Sequence, residues 1–370
     1  MATDTTTHPA ADERLKTESF GARLMKRPEL GAIAGVILVT VFFVLTADPA
    51  MFTLSGIVNF MTPAAQLGIL AIGAALLMVG GEFDLSIGSM VAFAGLFFGA
   101  ATVAVGLPLL LAIPLTFLFA AAVGAVNGTI VIRSGLPSFI VTLAFLFILR
   151  GLSLVGLKAV TGGSTQLRGV RDATEGDPLA PFFSGDAFGP VFAWAADRGV
   201  IETFGNGTPK VPGLPVEIVW FVALAAVATW LLLRTPAGNW IFAAGGDTLA
   251  ATNSGVPVRR VKIALFMLTA CCAALVAIIT VMDAGSTDAR RGFQKEFEAI
   301  IAAVIGGCLL TGGYGSAVGA FFGAIIFGMV VIGLGYTSFD QDWFQVFLGG
   351  MLLIAVLFNN AIRKRVTGER

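Results

Sequence analysis

The sequence predicts an all-α polytopic membrane protein of about ten transmembrane helices, on three grounds. Apolar residues make up 56% of the chain and charged ones only 12%, with a mean hydropathy of +0.89. A soluble domain carries about a quarter charged residues, because its surface must be covered by polar groups; lipid removes that demand. Apolar runs long enough to cross about 30 Å of hydrocarbon recur along the chain, and its 46 glycines suit helices that pack closely through small residues.

Taken in order, the predicted spans are 30–47, 61–80, 86–105, 107–131, 137–157, 215–233, 261–282, 297–311, 313–335 and 343–361. The first follows a polar, basic tail at 1–29 and ends at Asp48-Pro49. It is too long for the core of a cleaved signal, so a retained anchor is expected. The apolar body, 30–361, is interrupted by two polar stretches. An external loop at 158–214, rich in Gly, Pro and Asp and holding Phe188, Phe192 and Trp194, is expected to carry a short interfacial helix or to serve as a connector. A second stretch, 234–260, follows the sixth span. The glycine-rich regions 80–90 and 306–316 read as broken helices or as turns. The interval from Gly80 to Gly88-Ser89 recurs from Gly307 to Gly315-Ser316, a faint echo of the internal repeats that transporters use.

Charge sets the sidedness. With ten spans, Arg14, Lys16, Arg23, Lys26 and Arg27, then Arg133, then Arg234, Arg259, Arg260 and Lys262, and finally Arg363, Lys364, Arg365 and Arg370 of the tail 362–370 all fall on one side. Positive residues mark the cytoplasmic side, so both termini are expected in the cytoplasm of a bacterial inner membrane.

Much chemistry is excluded by what is missing. The single histidine is His8, in the polar tail, which leaves no histidine cluster for zinc and no histidine base for a serine nucleophile. Cys271, Cys272 and Cys308 all lie in apolar runs, where redox pairing is not expected. No phosphate-binding G-x-x-x-x-G-K-[ST] occurs, so the chain is not expected to hydrolyse ATP itself. No enzymatic activity, metal, cofactor or nucleic-acid partner is expected.

Four constellations remain. Glu82 and Asp84 stand between glycines with Ser86 and Ser89 just beyond. They form either a solvated turn with Asp84 or Ser86 capping the next helix, or a helix break that lines a translocation path; on that second reading an ion-coupled transporter would have to rely on these two acids. Ser138 and Thr142 follow Pro137 one turn apart on one helix face, placed for helix–helix hydrogen bonds or for ligand contact. In the polar stretch 234–260, Asp247 or Thr248 caps a short helix through Ser254, with Gly255 and Pro257 ending it; such a helix is suited to a groove on another protein. Glu296 and Glu298 follow Arg290, Arg291 and Lys295 and are expected as interfacial ion pairs or as an external docking surface.

Together the four stretches Gly80–Ser89, Pro137–Leu143 with Arg150-Gly151, Gly245–Val256, and Glu298–Gly307 leading to Gly312–Ser316 resemble the permease subunits of ribose-, xylose- and galactose-type ABC importers. The resemblance implies that fold, a homodimer with the path at its axis, ATP-binding subunits on the cytoplasmic side and a periplasmic sugar-binding protein outside. It also implies that Gly245, Gly246, Asp247, Ala250, Ala251, Ser254 and Gly255 form the segment coupling the spans to the ATPase. The chain departs from the pattern at Asp247, where relatives usually carry Asn, at Thr252-Asn253, where an Arg often precedes Ser-Gly, and in its longer 158–214 loop.

Overall fold

The computed structural model describes residues 28–367, with side chains from Glu29 through Leu357. The N-terminal basic cluster, His8 and the last residues of the C-terminal tail lie outside the described residues. Helix α1, Pro28–Thr46, is apolar all round and turns much of its surface outwards, as a lipid-facing helix does. Asp48 accepts from the Ala50 amide, and Thr53 from the Gly56 amide to open α2, Leu54–Val79. The spans α3, Ile87–Gly99, extended by a π turn to Ala104, α4, Leu109–Ser134, and α5, Ser138–Thr161, follow. The long loop holds β1 (Gln166–Arg168), α6 (Val170–Thr174), β2 (Asp186–Ala187), α7 (Gly189–Asp197) and β3 (Leu214–Pro215). Then come α8 (Val216–Arg234), α9 (Pro236–Gly246), α10 (Thr248–Asn253) and α11 (Val258–Ala284). The chain closes with β4 (Ser286–Asp288), α12 (Lys295–Ile305), α13 (Ala317–Gly333) and α14 (Trp343–Thr367).

Among the described residues eight helices, α1 to α5, α8, α11 and α13 with its 3-10 extension, are long and apolar enough to cross a membrane. With α14 and α12 they make up the expected ten segments, but the helix of the eighth is too short to cross by itself. Its apolar run is 297–311, whereas α12 has 11 residues, roughly 16 Å at 1.5 Å per residue. The helix stops early because Gly306 caps it and Gly307 turns left-handed at φ 91°; apolar sequence continues after helical backbone has ended. A second boundary moves as well: α2 starts at Leu54, a full turn and more before the predicted 61, because Thr53 supplies the cap.

The packing order places the breaks at the centre. α2 is enclosed by α8, α11, α12 and α13, while α11 packs along α4 and α3. The near side of the bundle, where α1 begins, also carries the ends of α2, α4 and α8 and the starts of α5, α11 and α13. Ser316 at the head of α13 donates to Glu29 of α1 at 2.8 Å. Arg133, Arg234, Arg259 and Arg260 all stand at these near-side ends, in keeping with the charge pattern. On the far side β1 pairs antiparallel with β4, Leu167 opposite Thr287, and β2 with β3. The predicted short helix of the long loop is α7, where the Arg198 guanidinium lies 4.2 Å from the Trp194 ring.

Candidate functional site

Both halves of the chain break a helix in the same way. At the end of α2, the Gly81 amide donates to Met78 O at 2.9 Å and the Glu82 amide to Leu77 O at 3.1 Å. At the end of α12, the Gly307 amide donates to Val304 O at 2.9 Å and the Cys308 amide to Ala303 O at 3.0 Å. These are matching glycine-terminated C-caps. The repeat is therefore present in the backbone, with Gly80-Gly81 equivalent to Gly306-Gly307, one residue off the register that glycine spacing suggests.

The link from α2 to α3 is not a solvated turn. Residues 82–84, between the two turns, lie along the first two turns of α5, and the amides of Phe83 and Leu85 have no helical carbonyl of their own to bond. The Phe83 amide donates to Ser138 Oγ and the Leu85 amide to Thr142 Oγ1, each at 3.0 Å. Thr142 Oγ1 in turn donates to Ser138 O at 2.8 Å. Buried amides outside regular structure need such acceptors, so these two hydroxyls serve the backbone of the break. Asp84 is buried and pins the turn into α3: its Oδ1 accepts from the Ser86 amide at 2.8 Å and from Ser86 Oγ at 2.5 Å. Asn127 of α4 donates to Ser86 Oγ at 3.0 Å. Thus the expected cap on the helix amides does not form: Asp84 closes the turn onto Ser86, and Ser86, at the N-cap position, makes no side-chain bond to them. Ser89 is buried on α3, its hydroxyl without a hydrogen-bond partner among the described residues.

Glu82 faces the other way, and sequence reasoning missed its partner. Lys262 of α11 donates to Glu82 Oε1 at 2.6 Å, the two side chains being 9% and 12% exposed. They stand 180 positions apart, and no local pattern relates them.

The polar stretch after α8 meets both breaks at one point. A Cβ on Gly245 would stand 1.9 Å from the Val79 carbonyl oxygen and 2.8 Å from the Gly313 amide nitrogen. Gly312, at φ +80°, likewise abuts the backbone of Gly81 and Gly245, and the Gly313 amide donates to Val79 O at 2.9 Å. Beyond this junction Asp247 caps α10 as expected, accepting from the amides of Leu249 and Ala250 at 2.9 Å. Ser254 Oγ donates back to Ala250 O at 2.9 Å, and Gly255 ends the turn at φ +83°. Ala251 packs inward on Ala244 and Val258, whereas Gly246, Ala250 and Gly255 are exposed and Leu249 is 73% exposed. α10 is a rigidly capped helix with an uncovered apolar tip.

The external docking surface expected of Glu296 and Glu298 does not fit their placement. Glu296 is 1% exposed and lies 3.6 Å from Arg150 Nη2 of α5; Glu298 pairs with Lys295 at 2.5 Å on the same helix. The ion-pair alternative is the one that forms, because the half-length α12 starts inside the bundle rather than at its rim.

The profile of the family described as "branched-chain amino acid transport system / permease component" matches residues 56–356. The chain belongs to this permease family. Curated relatives agree over nearly the whole length. The ribose import permease protein RbsC of Escherichia coli K12 is 31% identical over 356 residues, covering 96% of this chain and 99% of the relative. The xylose transport system permease protein XylH of the same organism is 30% identical over 364 residues, covering 90% and 92%. RbsC of Haemophilus influenzae is 29% identical over 329 residues, covering 89% and 91%. No solved structure matches the chain. A permease component is a transport subunit and not an enzyme, and the geometry fits one: two broken helices meet a capped, protruding helix.

In this permease Asp84 makes the break sensitive to pH. Burial pushes its carboxyl up to about 6 from 3.8, against the lowering effect of the Ser86 hydrogen bonds. A raised folded-state value means the contribution to stability is fully present below about pH 4 and is lost as pH rises through about 6. Asp84→Asn keeps the acceptor oxygen and removes the titration. The difference in melting temperature between wild type and Asp84→Asn is therefore expected to shift across pH 4–6.5 and to stay level above it; parallel curves would mean that another group titrates. Asp84→Ala, which loses the acceptor as well, should be less stable than Asp84→Asn by about 1–2 kcal/mol at every pH.

Proposed function

We propose that the permease is the membrane-spanning subunit of a binding-protein-dependent ABC importer, moving a monosaccharide, a pentose, hexose or related polyol, into the cytoplasm by alternating access. The observation that carries this is the three-way backbone contact of Gly81, Gly245 and Gly312, which joins an exposed helix to both helix breaks. In this proposal α10 seats in a groove of a partner ATPase, with Leu249 and Ala250 at the contact and Asp247, Ala251, Ser254 and Gly255 holding its shape. When the ATPases close on ATP, α10 moves, and Gly245-Gly246 passes the displacement to the breaks. Asp84, Ser86, Ser89, Ser138 and Thr142 shape the break around the path, and Glu82 ties it to the head of α11. The near side is cytoplasmic, with both termini on it, and a periplasmic sugar-binding protein delivers substrate to the far side of a homodimer.

The sugar assignment draws on the relatives, whose names give ribose and xylose as their substrates. Ala250→Asp puts a charge on the contacting tip without disturbing the cap. In vesicles containing permease, ATPase and binding protein, it is expected to lower uptake at least about tenfold, in line with a buried unpaired charge, and to leave the permease folded in the membrane. Unchanged uptake would make α10 a plain connector. Wild-type uptake that persists without ATP and collapses with the proton gradient would replace the whole reading with ion-coupled transport.

A further inference from the structure

Arg150 stands halfway along α5, the thirteenth of its 24 residues, where a guanidinium cannot face hydrocarbon without large cost. Its partners arrive from the far side. After β4 the chain descends along α3, and Gly292 reaches the backbone of Gly88, where a Cβ on Gly292 would stand 2.2 Å from Gly88 O. α12 then begins at this depth. Phe293 places its ring 4.7 Å from the Arg150 guanidinium, and Glu296 Oε1 lies 3.6 Å from Arg150 Nη2. That distance holds the charges together while leaving hydrogen-bonding capacity unspent on both.

Two features show that the cluster is unfinished. Glu296 Oε2 is buried against Gly88, where a Cβ would meet it at 1.9 Å, and it has no hydrogen-bond partner among the described residues. On the other side the cluster is open: the Arg150 side chain is 28% exposed and Phe293 46% exposed. Hydrocarbon on that open side of a mid-span guanidinium would carry a large cost. The Arg290 guanidinium also lies over the Phe293 ring, 5.8 Å from its centroid, and what stays open is the guanidinium of Arg150 and the free edge of Phe293, backed by the Glu296 carboxylate: a surface that offers donors to a polyol's hydroxyls and an apolar rest for its C–H groups.

Resting on the importer proposed above, we infer that Arg150, Glu296 and Phe293 form a transient subsite for an uncharged polyhydroxylated substrate midway along the path. It selects against deoxygenated analogues, because a site that hydrogen-bonds a hydroxyl leaves its own groups unpaired when that hydroxyl is missing.

The test uses vesicles holding the complete complex, with D-ribose and D-xylose as probes. Glu296→Gln and Arg150→Gln are each expected to lower initial uptake at least about tenfold, as loss of a charged hydrogen-bond partner does. Phe293→Tyr should retain transport that Phe293→Ala loses. Phe293→Cys, at an exposed position, should react with a water-soluble methanethiosulfonate well above the background of the wild type's own cysteines, Cys271, Cys272 and Cys308, and loaded binding protein plus ATP should slow that reaction. Well-folded Gln variants with wild-type uptake, or a Phe293→Cys protein inert to the reagent, would overturn the subsite while leaving the importer standing. Wild-type vesicles that move neither of these sugars, nor any hexose or polyol, would remove the importer and the subsite together.

Discussion

Gly245→Val is expected to destroy the folded permease, while Gly246→Ala, one residue on, is expected to be tolerated. At Gly245 a Cβ would meet Val79 O at 1.9 Å, Gly313 N at 2.8 Å and Gly80 C at 2.9 Å. All three are backbone atoms of structured elements, so no side chain can swing aside. Overpacking of this kind costs roughly 1–3 kcal/mol and occasionally more, and the absence of any yielding neighbour puts Gly245→Val at the upper end. At Gly246 the nearest atom to a Cβ is Gly313 Cα at 4.0 Å, an ordinary contact, and the expected change is within about 0.5 kcal/mol. Thermal unfolding of the two purified variants makes the comparison. Equal melting temperatures would mean that the junction is looser than its geometry.

The second large effect concerns the pair beside it. Lys262→Met leaves Glu82 charged and almost fully enclosed, which costs about 3–5 kcal/mol when a buried pair loses one partner. Glu82→Gln should be similarly harmful. The double variant Glu82→Gln with Lys262→Met removes both charges, and most of the loss is expected to return, since buried pairs are often replaceable by apolar groups. A double-mutant cycle on unfolding free energy reads the coupling directly. Additive losses would show that the two side chains act independently despite their 2.6 Å contact.

How far these features were legible in the sequence depended on their range. Helix length and hydropathy are local, so the spans and their charge sidedness could be read with boundaries off by a few residues. The Asp247 cap could be read too, because its acceptor lies two and three residues from its donors. Ser138 and Thr142 were recognisable as a hydrogen-bonding face, but not as the acceptors for Phe83 and Leu85, which are 55 and 57 positions away. Glu82–Lys262 and Arg150–Glu296 follow from how α2, α5, α11 and α12 pack, which no periodicity encodes. The half-helix escaped for a different reason: hydropathy measures apolar content, and the stretch after Gly306 remains apolar although its backbone has left the helix. That single miss moved Glu296 from an imagined outer rim to the interior.

The far-side pairing of β1 with β4 bears on how the chain is built. The Gln166 side chain donates to Ser286 Oγ across 120 positions, and α8 through α11 lie between the two strands. During synthesis β1 is complete on the far side long before β4 exists. It must wait, unpaired, until two further spans have been threaded and α11 has delivered its far-side end. Only then does the strand close, and its closure draws residues 289–294 down beside α3 to seat α12. Contacts this distant in sequence form late, so the half-helix can seat only once α11 is in place, and its fit waits on a pairing that spans a third of the chain.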